Sequence, residues 1–386
     1  MTKINPTEQS GAIVIKEVKS KRDLRRFVKF GIDLYKGNNC YCPPIIHDEL
    51  NAFKPSGNPA LEVCDFVIYM AYRNDKIVGR IVGIVNHRAN EAWDVKKCRF
   101  GWFECIDDYE VFKSLLDAVA EWGRSKGMAC LNGPVGFTDF DHQGLLIEGF
   151  DHSAPMASLY THPYYVAHYE RYGLEKEVDW IEFQIHPPKE APERVKRIAR
   201  LVEERYGLHT VKVKNSRELR KRYGYTYFDV LDEAYQKLYN YQPMTQKQKE
   251  YYCKMFFPII NFDFVTMVAN DKDEIVAVGL GMPSLSEALR KCRGRLFPFG
   301  WYHLLKALKA KKMTDFDLLL IGVRPSYQDK GINALIIDEM TPYFSKYGIE
   351  RVETTAILET NNKSQANFVI FDHIQHKRRR AFIKAL

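Results

Sequence analysis

Two stretches of the chain match at a constant offset of 198 residues. Asp65 to Gly83 reads DFVIYMAYRNDKIVGRIVG, and Asp263 to Gly281 reads DFVTMVANDKDEIVAVGLG. Asp65, Phe66, Val67, Ala71, Asp75, Ile77, Val78 and Gly83 all recur without a gap, eight identities in 19 positions. Each copy reads as strand, polar turn, strand: an apolar stretch, an Asn/Asp/Lys cluster, then Ile-Val and small residues. Hairpins share vocabulary, but this many identities in one register favour an internal duplication. Any fold for the chain must therefore be built twice around the same hairpin.

The flanks extend the two copies. Lys21 to Lys36 and Tyr227 to Tyr239 carry apolar residues near helical spacing before each hairpin. After the first hairpin come a strand, Phe100 to Cys105, a helix, Asp108 to Lys126, with Gly127 placed to end it, and a strand, Met128 to Leu131. After the second come a helix, Trp301 to Lys311, a strand, Asp317 to Val323, a helix, Ile332 to Lys346, stopped by Gly348, and a strand, Arg351 to Leu358. This is a mixed α/β order in each half. His186-Pro187-Pro188-Lys189-Glu190-Ala191-Pro192 cannot continue a helix or a strand. The expected division is a tail at 1–11, a domain at 12–186, a proline-rich linker at 187–192 and a domain at 193–386, opened by a helix from Glu193 to Tyr206.

Composition excludes some classes. With 13% aromatic residues the chain is not a disordered one, and 386 residues suffice for two cores. The net charge of +8 fits an anionic small molecule as well as a nucleic acid or a membrane surface. The eight cysteines show no C-x-x-C spacing, so neither a metal site nor a disulfide frame is expected. The first residues have no apolar core, and no apolar run approaches the ~20 residues that span a bilayer. The expected location is the cytoplasm. The terminal HKRRRAFIKAL is expected as a final strand with a solvated basic end; nucleic acid is not the expected partner, and peripheral contact with anionic lipid is the alternative. His142 and His152 lack metal-ligand spacing and are expected as surface histidines; His162 and His168, six apart, do not share one helix face.

The segment LLLIGVRPSYQDKGINALIIDEM, Leu318 to Met340, is a buried strand, a turn containing Gly331, and a helix start. Unpaired N–H groups at a helix N-terminus bind phosphate oxygens, and Gly331 would let the backbone approach a ligand closely. Lys330 and Arg324 add positive charge. The run Val323-Arg324-Pro325-Ser326-Tyr327-Gln328-Asp329-Lys330-Gly331-Ile332-Asn333 resembles the pyrophosphate signature of the GCN5-related N-acetyltransferase (GNAT) superfamily, V-x-P-x-[YF]-[QR]-x-x-G-x-[GA]. It departs at Asn333, where that family has Gly or Ala. The resemblance implies two tandem GNAT-like domains, each a mixed, mostly antiparallel sheet with helices on both faces. It implies acetyl-CoA or a longer acyl-CoA, with the pyrophosphate on the N–H groups from Gln328 through Asp329, Lys330, Gly331, Ile332 and Asn333 to Ala334, beside Val323. It also implies a splay between the strands Leu318–Val323 and Arg351–Leu358 for the thioester.

Asn361 or Asn362 stands where the family has an Asn that contacts CoA or the departing thiol. The Tyr found seven residues later in the family is replaced by Phe368 or Val369. Glu353, on a strand edge, is a candidate general base for an amine. The first half reads Ile106-Asp107-Asp108 at the equivalent turn, without Gly and with two carboxylates, which would repel a phosphate. Its later segment is dense in glycine and aromatics, and Gly133, Phe137, Tyr160, Tyr164 and Tyr165 are candidates to bind the acceptor. That segment is similar to a bacterial branch of GNAT-like proteins that includes candidate sphingoid-base N-acyltransferases. The expected activity is acyl transfer to a small-molecule or lipid amine. The alternatives are a degenerate pair that binds CoA without turnover and a tRNA-dependent aminoacyl transferase.

Overall fold

In the computed structural model, residues 11–386 are described. The expected tail, 1–11, lies outside them except for Gly11. By compactness the chain divides into one unit made of the residues up to Asp151, Leu159–Asp179 and Arg379–Leu386, and a second made of His152–Ser158 and Trp180–Arg378. The proline segment falls within the second unit, contains no regular element, and is half-buried or exposed apart from Ala191. The linear limits 12–186 and 193–386 are kept as our proposal for the two copies of the repeat.

In the first unit the strands run β1 (Val14–Glu17), β2 (Cys64–Arg73), β3 (Lys76–Asn86), β4 (Lys97–Cys105), β5 (Cys130–Gly133) and β6 (Leu145–Glu148). They lie in the order β1-β2-β3-β4-β5, antiparallel except for the parallel pair β4–β5. Phe382–Ala385, near the chain's end, closes the far side of β5. Neighbouring residues of β3 serve opposite faces. Ile81 joins a core with Phe112 and Val119 of the helix Tyr109–Ser125. Val82 joins another with Phe27 of the helix Lys21–Leu34 and with Phe53.

Strand β7 (Glu175–His186) divides between the units. The second unit adds β8 (His209–Val211), β9 (Val265–Ala269), β10 (Ile275–Pro283), β11 (Asp315–Val323), β12 (Arg351–Thr354), β13 (Ile357–Leu358) and most of β14 (Asp372–Ala385). The order β8-β9-β10-β11-β12 repeats that of the first unit, with β11–β12 as its parallel pair. Helices cover both faces. A Cβ on Gly279 would meet Ile336 of the helix Asn333–Tyr347, and one on Gly322 would meet Leu231 of the helix Thr226–Tyr235.

The two hairpins occupy the same topological position and share two details. Val78 and Val276, 198 residues apart, are each skipped by the strand pairing, a bulge in both copies. Each carbonyl accepts the first N–H past the neighbouring strand: Ile106 N to Val78 O, 3.0 Å, and Arg324 N to Val276 O, 2.9 Å. The repeated aspartates tie each hairpin to the end of its helix, Lys126 Nζ to Asp65 at 2.9 Å and Lys346 Nζ to Asp263 at 2.6 Å.

One expectation needs correction. The five Lys or Arg residues after Asp372 do not form a solvated basic end. Lys377 and Arg379 are buried. Lys377 meets Glu353, Arg378 meets Glu359, Arg380 forms a two-point pair with Asp179, and Arg379 and Lys384 donate to the carbonyls of Leu159 and Tyr172. A strand with one inward face turns alternate residues to the interior, and charged ones are tolerated there only with partners.

Candidate functional site

The turn after β11 starts with Pro325–Tyr327, one turn of 3-10 helix, which cannot extend β11. Asp329 (φ 63°) and Gly331 (φ 80°) are left-handed, and the helix Asn333–Tyr347 follows with no acidic residue in its first turn. Among the described residues, the backbone N–H groups of Asp329, Lys330, Gly331, Ile332 and Asn333 have no acceptor in the protein. The next two, of Ala334 and Leu335, bond to the carbonyls of Gly331 and Ile332. Five consecutive free donors at the positive end of a helix form an anion cradle.

The side chains around it are arranged to leave it open. The Asp329 carboxylate is held by Lys363 at 2.6 Å, and the Gln328 amide donates to the carbonyl of Val323, the last residue of β11. The Lys330 ammonium lies over the rings of Tyr327 and Tyr206, 4.7 and 5.1 Å from their centres. Ile332 and Ala334 are buried, anchoring the helix start in the core. The Asn333 amide donates to Asn367 at 2.8 Å, so this departure from the family pattern braces the turn. Two expectations change. Arg324 is not available to a phosphate, because its guanidinium is held by Glu233 at 2.6 Å and the Ile275 carbonyl at 2.9 Å. The α-carbon of Gly331 faces the helix Glu193–Tyr206: a Cβ there would lie 3.1 Å from Ile198, so close packing and the positive φ both require glycine.

In the first unit the same turn is filled. The Asp108 carboxylate accepts from the N–H groups of Glu110 and Val111 and pairs with Arg73 at 2.7 Å. Asp107 lies 3.0 Å from His168. That helix N-terminus is capped by its own carboxylate, where the second unit's is left uncapped.

The parallel pair β11–β12 holds together only from Asp315–Arg351 to Leu318–Thr354. The Leu318 and Leu319 carbonyls then accept from Thr355, and Ile357 and Leu358 turn to pair with β7. The strands therefore splay while β11 continues to Val323. The Tyr235 hydroxyl donates to the Ile321 carbonyl at 2.9 Å, on this diverging stretch, and burial holds the phenol well above its ordinary range. Asn361 caps the short helix Asn362–Ala366, its side chain accepting the Ser364 N–H at 3.1 Å; Asn362 is exposed at the start of that helix. Phe368 is buried beside Phe183, and Val369 is exposed.

Just before the splay, Asp317 and Glu353 are directly opposed. Glu353 lies 2.5 Å from Lys377 Nζ and 2.7 Å from His376 Nε2. Lys377 also faces Glu182 at 3.4 Å, and Glu182 accepts from Ser158. Asp317 is buried, and burial, reinforced by the charge of Glu353, pushes its carboxyl up to about 7. His152 is not a plain surface residue, since its ring packs edge-on against that of His376 at 4.6 Å. Residues 152–158, part of the glycine- and aromatic-rich segment, thus lie against this network. Asp317, Lys377 and Tyr235 were not singled out from the sequence. The one local signal was an acid on each of two strands read as splayed partners.

The remaining candidates lie in the first unit. Tyr165 and Tyr35 donate to the buried Glu104, whose carboxyl burial raises to about 7. Tyr35 stacks between Tyr41 and His162, and His162 stacks on Tyr164, giving a column of near-parallel rings. His162 is thus a packed residue. Tyr164 donates to the Cys105 carbonyl, and Tyr160 to that of Phe150. Phe137 is fully buried among Phe53, Phe66 and Trp102. Gly133 ends β5 against the Phe100 carbonyl. The rings of Tyr160, Tyr164 and Tyr165 belong to the buried part of the first unit, and Phe137 and Gly133 occupy core positions.

No family model matches the chain. It is similar to Protein YghO of Escherichia coli (strain K12), 26% identical over 348 residues, covering 89% of this chain and 87% of that protein. It is also similar to Bacterial ceramide synthase of Caulobacter vibrioides (strain NA1000 / CB15N), 25% identical over 357 residues, covering 89% of this chain and 90% of that protein. Among solved structures it resembles a tandem GNAT protein from the clavulanic acid biosynthesis pathway, with a TM-score of 0.56 at 10% identity, over 97% of this chain and 98% of that one. It also resembles a GCN5-related glucosamine N-acetyltransferase region of a fungal multi-domain beta-N-acetylglucosaminidase, with a TM-score of 0.55 at 11% identity, over 97% of this chain and 38% of that one. The fold is that of GNAT acetyltransferases in tandem.

Proposed function

We propose that the protein transfers an acyl group from an acyl-CoA thioester to a lipid amine of the sphingoid-base class. The observation that carries this reading is the uncapped helix start: five N–H donors, Asp329 to Asn333, at the mouth of a splayed strand pair. The CoA pyrophosphate takes those donors and the thioester lies in the splay after Leu318. The amine nitrogen attacks the thioester carbonyl, its C–N bond forms and the C–S bond breaks. The Asp317–Glu353 pair takes the proton from nitrogen, and the Tyr235 hydroxyl gives one to the departing thiolate. Asp317 suits the first role because a base with pKa near the working pH balances availability and strength. The choice of a long-chain amine is supported by the likeness to the Caulobacter ceramide synthase and by residues 152–158 beside the network.

The test pairs calorimetric titration of CoA with thiol release from acyl-CoAs of several lengths, using sphinganine and a short soluble amine as acceptors. Binding and release with sphinganine support the proposal. Binding without release under any pairing reduces the protein to a CoA-binding pair.

A further inference from the structure

Between the last residue of β10, Pro283, and the first of β11, Asp315, the second unit inserts a helical hairpin, Ser286–Cys292 and Gly300–Leu308. Its loop and second helix expose large apolar side chains in nine residues: Phe297 is 80% exposed, Phe299 73%, Tyr302 54%, Trp301 45% and Leu305 42%. Trp301 and Leu305 are one helical turn apart and share a face, while Leu304 turns inward and is buried. The display is built, not frayed. The Trp301 indole donates to the Pro298 carbonyl at 3.0 Å and its backbone N–H to the Leu296 carbonyl at 2.9 Å. A Cβ on Gly300 would lie 1.7 Å from the Arg295 carbonyl, so the loop closes too tightly for any other residue.

The charge around this patch is one-sided. Residues 287–312 hold eight Lys or Arg and one acid, Glu287, in a chain whose net charge is +8. Glu287 is taken by Lys291. Among the described residues, Arg293, Arg295, Lys306, Lys309 and Lys311 have no carboxylate partner. Exposed Phe, Trp and Leu beside unpaired cations match the two zones of a bilayer surface, acyl boundary and anionic headgroup. A second protein copy would need acids to meet these cations, and the hairpin itself supplies one.

We propose that this hairpin docks the protein on the surface of an anionic phospholipid bilayer. Docking does not depend on the acyl-transfer reading. Its use does: the hairpin joins the sheet at the Asp315 end of β11, near the Asp317–Glu353 pair, whereas the anion cradle follows Val323 at the other end. A lipid amine would come from the membrane end while soluble CoA enters from the other.

The experiment is co-sedimentation of the full chain with phosphatidylcholine vesicles, with and without phosphatidylglycerol. The parent should sediment with the anionic vesicles and far less with neutral ones. The pair Phe297→Ser and Phe299→Ser should weaken binding at least tenfold. Arg293→Gln with Arg295→Gln should weaken it about twenty-fivefold, at about fivefold per cation, on anionic vesicles only. Leu201→Ser, exposed elsewhere, should change nothing. Thermal melts and CoA affinity should match the parent in all variants, which separates lost docking from lost folding or a wrong substrate reading. A parent that ignores anionic vesicles overturns the proposal. So does a parent dimer that the Phe297/Phe299 pair dissociates, which would assign the patch to a second copy.

Discussion

Asp317 and Glu353 face each other across the next-to-last rung that joins β11 to β12, one residue before the strands part. Both carboxylates share one face of the sheet, and Lys377 and His376 lie within ion-pair distance of Glu353. Asp317, buried beside Glu353, keeps its proton to about pH 7.

That retained proton sets a pH dependence. The native Asp317 carboxyl titrates near 7 and its unfolded counterpart near 3.8, so between those values the native state binds the extra proton. Stability therefore falls as pH rises through that window and is flat above it. Asp317→Asn should melt higher than the parent at about pH 8, by roughly 2–4 kcal/mol, and show little difference at about pH 4. The same change should remove the rising limb of thiol release near neutral pH. A limb that persists in Asp317→Asn assigns the base elsewhere.

The buried lysine gives a sharper stability test. Lys377 is 1% exposed and faces both Glu353 and Glu182, which is 0% exposed. Lys377→Met leaves two carboxylates crowded without their cation, a cost of about 3–5 kcal/mol. Adding Glu182→Gln should recover part of it. Urea unfolding of the single and double variants reads both values, and a loss under ~1 kcal/mol for the single variant would mean that the cluster is solvated.

In the proposed mechanism Tyr235 protonates the departing thiolate. Tyr235→Phe removes one hydroxyl and its bond to Ile321. Loss of a general acid lowers turnover by roughly a hundredfold. CoA affinity should stay within about twofold, since only a peripheral neutral hydrogen bond is lost. Weakened CoA binding with turnover preserved would make Tyr235 a brace for β11 and no more.

The repeat, the hairpins and the uncapped turn were legible because their signals are local: eight matched residues, and a strand, glycine and helix within two dozen positions. The network was not. Tyr235 meets a carbonyl 86 residues away, and Arg380 meets a carboxylate 201 residues away. A basic run looks solvated until the strand that carries it is given neighbours. Gly331 was placed correctly in the turn but for an incomplete reason, because Ile198 is brought beside it by a helix more than a hundred residues earlier. The aromatic hairpin was read only as a helix, since exposure depends on what fails to cover it.

The CoA site is best tested at Asn333, not Gly331. Any side chain at Gly331 strains a φ of 80° and presses on Ile198, so lost binding there would not separate repulsion from misfolding. Asn333→Asp changes almost no volume and leaves an acceptor for the Asn367 amide in place of the present bond. A carboxylate at the first position of the helix suits the helix dipole, so the fold should be kept or slightly stabilised. It would also stand about 5 Å from a pyrophosphate on the free N–H groups, where like charges cost about 3 kcal/mol at an effective dielectric of about 20, roughly a hundredfold in affinity. Asp107→Asn in the first unit should leave affinity unchanged, because Asp108 already fills that helix end. Calorimetric titration of CoA into the parent and both variants, with melting curves alongside, reads all three outcomes. Equal affinity of Asn333→Asp and the parent would move the pyrophosphate away from this helix.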